Sequence, residues 1–186
     1  MQLDARINKI QPGHPQYELK PDIEVYAKAV RWALRFNEFY KKDQAKVDFW
    51  ALAEANKRLD HLATHPWTSQ KGLVVRGYRT SIDGSVQPYG VEIPENADPK
   101  KTYVFLHGRG DKTTDLHFID QRATKPGKIA PEGAIILHPF GRHCMGFKSA
   151  GEIDVLEVVE HAAKAYGTSR TPVLMGFSMG GATADQ

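Results

Sequence analysis

The sequence predicts an α/β fold: a helical hairpin, then an antiparallel strand pair, then parallel strands alternating with helices. Three observations carry that expectation. Apolar residues recur at a helical period between Asp22 and Leu62, the period becomes that of strands at Gly72, and three later apolar runs each end at a turn containing glycine.

Residues 1–21 are polar and carry Pro12, Pro15 and Pro21, so they read as an irregular lead-in. From Asp22, the residues Ile23, Tyr26, Ala27, Val30 and Leu34 share one helical face, while Glu24, Lys28, Arg31, Arg35 and Glu38 share the other. A second helix begins near Asp43 with Val47, Ala51, Ala55, Leu59 and Leu62 as its stripe, and Pro66 stops it. A polar turn at Lys41-Lys42 joins the two as an αα-hairpin. Trp32, Phe36, Phe39, Tyr40, Phe49 and Trp50 stand at helical spacing, the position of core residues rather than of a ligand box.

Residues 73–80 and 87–95 read as two strands, with Asp83-Gly84 as the hairpin turn signal between them. Residues 96–101 form a loop. Tyr103-Val104-Phe105-Leu106 is an unbroken apolar run, which suits a strand covered on both faces. Thr113, Thr114 and Asp115 then offer N-caps for a helix over 116–119. Residues 133–138 form another buried strand. Residues 152–166 are an amphipathic helix with Leu156, Val159, Ala163 and Tyr166 inward and Gly167 at the C-terminal cap. Pro172-Val173-Leu174-Met175 opens on proline and reads as a buried parallel strand. The chain thus divides into a helical segment over 1–71 and an α/β unit over 72–186.

A chain of 186 residues, 41% hydrophobic, can bury one sizeable core. Its formal net charge of +3 is modest, and its basic residues are scattered among 22 acidic ones, which argues against a nucleic-acid surface. No apolar run approaches a membrane span, and the first residues lack the apolar core of a signal peptide. One cysteine, Cys144, excludes an internal disulfide framework.

The chemistry is signalled by Gly176-Phe177-Ser178-Met179-Gly180, which matches G-x-S-x-G at the end of the last apolar run. A serine on a sharp strand-to-helix turn needs glycine on both sides, because side chains there collide as the backbone doubles back. The turn lifts the serine hydroxyl clear of the sheet and sets the Met179 N–H at the start of the next helix, facing an oxyanion. His107-Gly108-Arg109-Gly110 follows an earlier buried strand, where a loop N–H faces the same point.

These motifs in this order resemble the first half of an α/β-hydrolase, above all the prolyl oligopeptidase group of serine peptidases and the bacterial esterases related to dienelactone hydrolase. The resemblance spans about residues 72–186, and the helical hairpin lies outside it. It implies Ser178 as nucleophile, with the backbone amides of Met179 and Arg109 as the oxyanion hole. It implies no metal or organic cofactor, and a peptide or small ester as substrate. It also implies that the five strands stand in the order first, second, fourth, third, fifth, leaving the strand before Ser178 as an open edge. In that family the acid and the histidine follow the serine in the chain. All eight histidines here precede it, so the base is expected beyond residue 186 in a longer parent, with the 186-residue chain inactive alone. The leading expectation is a prolyl-oligopeptidase-like serine peptidase. The alternatives are a carboxylesterase of the same fold, or a non-catalytic relative that binds a partner through its aromatic helical hairpin.

Lesser candidates have plainer readings. His61 and His65 stand at i, i+4 but lack a third ligand nearby and read as surface residues. His143 and Cys144 are adjacent in sequence, a poor start for a Cys–His pair, and read as a loop after the fourth strand. Asp111 and Asp115 suit helix capping, Arg109 a solvated side chain, and Ser149 a helix start.

Overall fold

The computed structural model describes residues 2–40 and 42–184. A five-stranded mixed sheet is built from β1 (Gly72–Arg79), β2 (Val86–Ile93), β3 (Asp98–Leu106), β4 (Ala134–Pro139) and β5 (Val173–Gly176). Its order is β1-β2-β4-β3-β5. The first two strands form an antiparallel hairpin with Arg79 opposite Val86. Its turn closes through Thr80 N–H to the Ser85 carbonyl (3.0 Å) and Ser85 N–H to Asp83 Oδ1 (2.9 Å). β4 pairs antiparallel to β2 and parallel to β3, and β3 pairs parallel to β5.

Among the described residues, six α-helices accompany the sheet: α1 (Gln2–Ile7), α2 (Pro21–Phe36), α3 (Gln44–Asp60), α4 (Asp115–Thr124), α5 (Ala150–Tyr166) and α6 (Met179–Ala184). Proline at N1 starts α2, where its missing N–H would have had no partner. Asn37 in the left-handed region ends it. The connection expected at Lys41-Lys42 runs from 37 to 43, and Lys41 lies outside the described residues.

Each face of the sheet has its own core. On one face Val75 and Val86 pack with α2, α3 and α4 through Ile23, Val30, Ala51, Leu116 and Ile119. On the other, Tyr89, Val104, Leu106 and Leu137 pack with α5 and α6 through Val155, Val158, Ala162 and Met179. The N-terminal helices are therefore one of the two layers that cover the sheet. None of the described helices is long and apolar enough to cross a membrane.

Several local expectations are corrected. The lead-in is partly ordered: α1 forms there, and Ile7 and Ile10 are buried against α2 and α3. β3 begins at Asp98, inside the expected loop, with an irregular register between Asp98 and Thr102. Most hairpin aromatics are not core. Trp32, Phe36, Phe39 and Tyr40 are exposed and Phe49 is 74% exposed, because small residues such as Ala29, Ala33, Ala51 and Ala55 make the buried contact between the helices. Only Trp50 packs inward, edge-on to Tyr26 at 5.9 Å. Leu34 lies outside the packed face as well. In α5 the buried stripe runs through Gly151, Asp154, Val155, Val158, Val159 and Ala162, leaving Leu156 60% exposed. Ser149 precedes α5 but its side chain makes no capping hydrogen bond. β5 stands at the edge of the described sheet, as the resemblance implies, so the burial expected from its apolar run is not met: Val173 and Leu174 are 54% and 47% exposed.

Candidate active site

Ser178 sits where β5 turns into α6. The turn is tied to β3 by the Phe177 N–H, which donates to the Leu106 carbonyl at 3.1 Å. It is closed by Gly180 N–H to the Phe177 carbonyl (3.0 Å) and Ala182 N–H to the Ser178 carbonyl (3.1 Å). Ser178 has φ +53°, a left-handed conformation that a non-glycine residue holds only under constraint from its surroundings. The glycines on either side supply that constraint. A Cβ on Gly176 would overlap the Gly180 carbonyl, and one on Gly180 would overlap the Leu106 carbonyl, so neither position admits a side chain without movement. The serine is exposed at the C-terminal edge of the parallel strands, where open α/β sheets place their ligands. Met179 is the first residue of α6, and its amide is among the first-turn donors that have no carbonyl within the helix.

The loop after β3 lies against this turn. A Cβ on Gly108 would stand 2.8 Å from Phe177 Cδ1, so glycine allows the close approach. His107 anchors the loop with Nδ1 on the Gly108 carbonyl (2.8 Å) and Nε2 on the Phe140 carbonyl (2.9 Å). The Arg109 side chain points to solvent and pairs with Asp111 (2.9 Å). Thr114 caps α4 by accepting from the His117 N–H (3.3 Å), and Asp115 pairs with Lys28 Nζ (2.6 Å).

A second loop, after β4, braces both partners. The Gly110 N–H donates to Cys144 Sγ (3.4 Å), and Thr183 Oγ1 on α6 donates to the Gly146 carbonyl (2.6 Å). His143 Nε2 lies 3.9 Å from that sulfur, so these neighbours do turn toward one another. Arg142, His143, Phe147 and Ser149 all have positive φ. That backbone is held by Arg142, which donates to Asp154 (2.8 Å) and Asp83 (2.8 Å). Burial raises the Asp154 carboxyl above its ordinary value against the pull of Arg142. The bracing role of this loop was not visible in the sequence beyond a glycine at each end of 141–146.

Sequence reasoning also missed a polar cluster beneath the site. His138 Nε2–H donates to Glu92 Oε1 (2.8 Å), the Gly127 N–H donates to the same oxygen (2.5 Å), and Arg122 Nη1 donates to His138 Nδ1 (3.1 Å). Burial lowers the His138 pKa, outweighing the Glu92 hydrogen bond, so the ring is the neutral tautomer that these bonds require. Burial alone would raise Glu92, but the hydrogen bonds from His138 and the Gly127 N–H, with Arg122 nearby, together lower it. The signal was a glutamate and a histidine inside otherwise apolar strands. A cavity of about 250 Å³ opens above the cluster, between Gly108, Phe105, Phe118, His138, Arg122 and Phe177.

Each of the eight histidines has a partner of its own, and none of the hydrogen bonds among the described residues joins one to Ser178. His61 and His65 bond the Lys57 carbonyl and Thr68 respectively. No cluster of three or more metal-ligating side chains is placed to hold an ion among the described residues. Comparison of the chain with models of known families, with curated proteins and with solved structures finds no match.

Proposed function

We propose that the protein is a serine hydrolase of the α/β-hydrolase kind that works through an acyl-enzyme, with a prolyl-oligopeptidase-like peptidase as the leading form. One observation carries the reading: Ser178 at φ +53° on a strand-to-helix turn that only glycine can close, with the 107–110 loop packed against it. The observed strand order is also the one that the resemblance implies. Ser178 Oγ attacks the substrate carbonyl carbon and its proton passes to a base. The tetrahedral oxyanion accepts hydrogen bonds from the Met179 and Arg109 amides. Its collapse expels the leaving group with a proton, and water then releases the acyl group. Since every histidine is engaged elsewhere, the base and the acid that orients it are proposed to come from outside residues 2–184.

The exposed aromatics Trp32, Phe36, Phe39, Tyr40 and Phe49 favour a second reading, in which the helical hairpin of a non-catalytic relative docks a partner. A fluorophosphonate probe separates the two. The full-length protein should be labelled, with the adduct on Ser178, and Ser178→Ala should lose the label. Equal labelling of the alanine variant, or none of the wild type, overturns the catalytic reading.

A further inference from the structure

We propose that the cavity between the 107–110 loop and Phe177 is a carboxylate subsite, in which Arg122 receives an acidic group of the substrate. As a substrate subsite it rests on the catalytic reading above; as a carboxylate site it stands on its own geometry. The guanidinium lines the cavity with only 15% of the side chain exposed. It carries five N–H donors, and the one hydrogen bond it makes among the described residues is that of Nη1 to His138. Its remaining N–H groups are not sealed inside the protein. A guanidinium taken this far from water and left with most of its donors unused calls for an acceptor, and a carboxylate fits its planar fork with two parallel bonds.

The surroundings select the sign. Among the described residues, no aspartate or glutamate lines the cavity. Glu92, the nearest carboxylate, stands at ion-pair distance, 3.8 Å from Arg122 Nη1, but makes no hydrogen bond to it, and its Oε1 is already committed to His138 and Gly127. His138 takes up one of the guanidinium's donors at its Nδ1 and leaves the others to the cavity. The side walls, Phe105, Phe118 and Phe177, are aromatic. The chemistry that fits is a short apolar arm ending in a carboxylate, attached next to the carbonyl that Ser178 attacks.

The test is titration calorimetry of the full-length protein with 3-phenylpropionate and with 3-phenylpropanamide, the same shape without the charge. The carboxylate should bind about tenfold to a hundredfold more tightly, as charge-assisted bonds to a guanidinium imply. Arg122→Met should erase the difference and Arg122→Lys should retain part of it. Backbone resonances of Gly108 and Phe177 should shift on binding. Equal affinity of wild type for acid and amide overturns the proposal without any variant, and so does discrimination that survives in Arg122→Met. Fluorophosphonate labelling reads out separately: labelling without discrimination removes the subsite and leaves the hydrolase, and discrimination without labelling does the reverse.

Discussion

Gly176 and Gly180 lack side chains for a steric reason that Gly181, one position further on, does not share. A Cβ at Gly181 would meet the Gly176 carbonyl at 3.4 Å, an ordinary contact, and the residue lies within α6. Gly180→Ala should therefore destabilise by roughly 1–3 kcal/mol through overpacking, while Gly181→Ala should be neutral or stabilising by up to about 1 kcal/mol through helix propensity. Urea melts of the two variants check the contrast, and equal losses would mean that the turn is not sterically closed. A second residue-scale device is His161, whose Nδ1 accepts from the Tyr89 hydroxyl at 2.8 Å. Burial, with Arg76 nearby, lowers its pKa to about 4. Below the ordinary histidine value near 6.5 the unfolded chain takes up a proton that the folded chain refuses, so stability falls from about pH 6.5 toward pH 4. At pH 4.5 that loss is about 2–3 kcal/mol relative to pH 7 for this group alone. His161→Asn should flatten the difference between melts at the two pH values.

At the scale of elements, Asp22 fastens α2 to the sheet. Its carboxylate accepts from Arg76 Nε (2.9 Å), the Gly77 N–H (2.7 Å) and Trp67 Nε1 (2.9 Å). Arg76 continues to the Tyr166 hydroxyl on α5 at 2.7 Å, so one β1 side chain ties both layers at the edge of the sheet. Burial alone would raise the Asp22 pKa, but Arg76, Arg58 and the hydrogen bonds together lower it, so its contribution disappears only below the ordinary carboxylate range. Asp22→Asn leaves Arg76 buried without its counter-charge and should cost about 3–5 kcal/mol, measured by thermal or urea unfolding. Little of this was legible in advance. Periodicity found α2, α3, α5 and all five strands, because each is long or apolar enough to show its period. It placed Leu156 inward by phase, whereas Asp154 takes that side of α5 to reach Arg142. The turn at Ser178 could be read because its glycines are neighbours in sequence. The Glu92–His138–Arg122 cluster could not, since strand order and the placement of α4 bring it together from three separated segments.

For the molecule as a whole, the sheet ends differently on its two sides. At β1 the chain itself reaches the sheet, where the Gly77 N–H donates to Asp22 (2.7 Å) and Pro21 packs on the face at Gly77. At β5 the described residues offer no further strand, and Val173 and Leu174 face outward in a run without charge. The polypeptide of residues 1–186 should therefore self-associate at micromolar concentration, and Leu174→Lys should return it toward monomer in sedimentation. A compact monomer of the unaltered polypeptide would show that the edge is not adhesive. The strand order has one more consequence, which concerns time rather than shape. β4 is hydrogen-bonded on both sides, to β2 and to β3, while β2 and β3 never touch as strands. A nascent chain emerging from the ribosome thus carries a finished hairpin and a solitary third strand with no ladder between them until residues 134–139 arrive. Their arrival joins the hairpin to β3 and leaves only β5 to add, so the interval before β4 is when the growing chain is most exposed to misassembly. In refolding followed by pulsed hydrogen exchange, the amides of β3 that face β4 and those of β4 that face β3 should gain protection in a single phase, whereas the β3 amides that face β5 follow the docking of that strand.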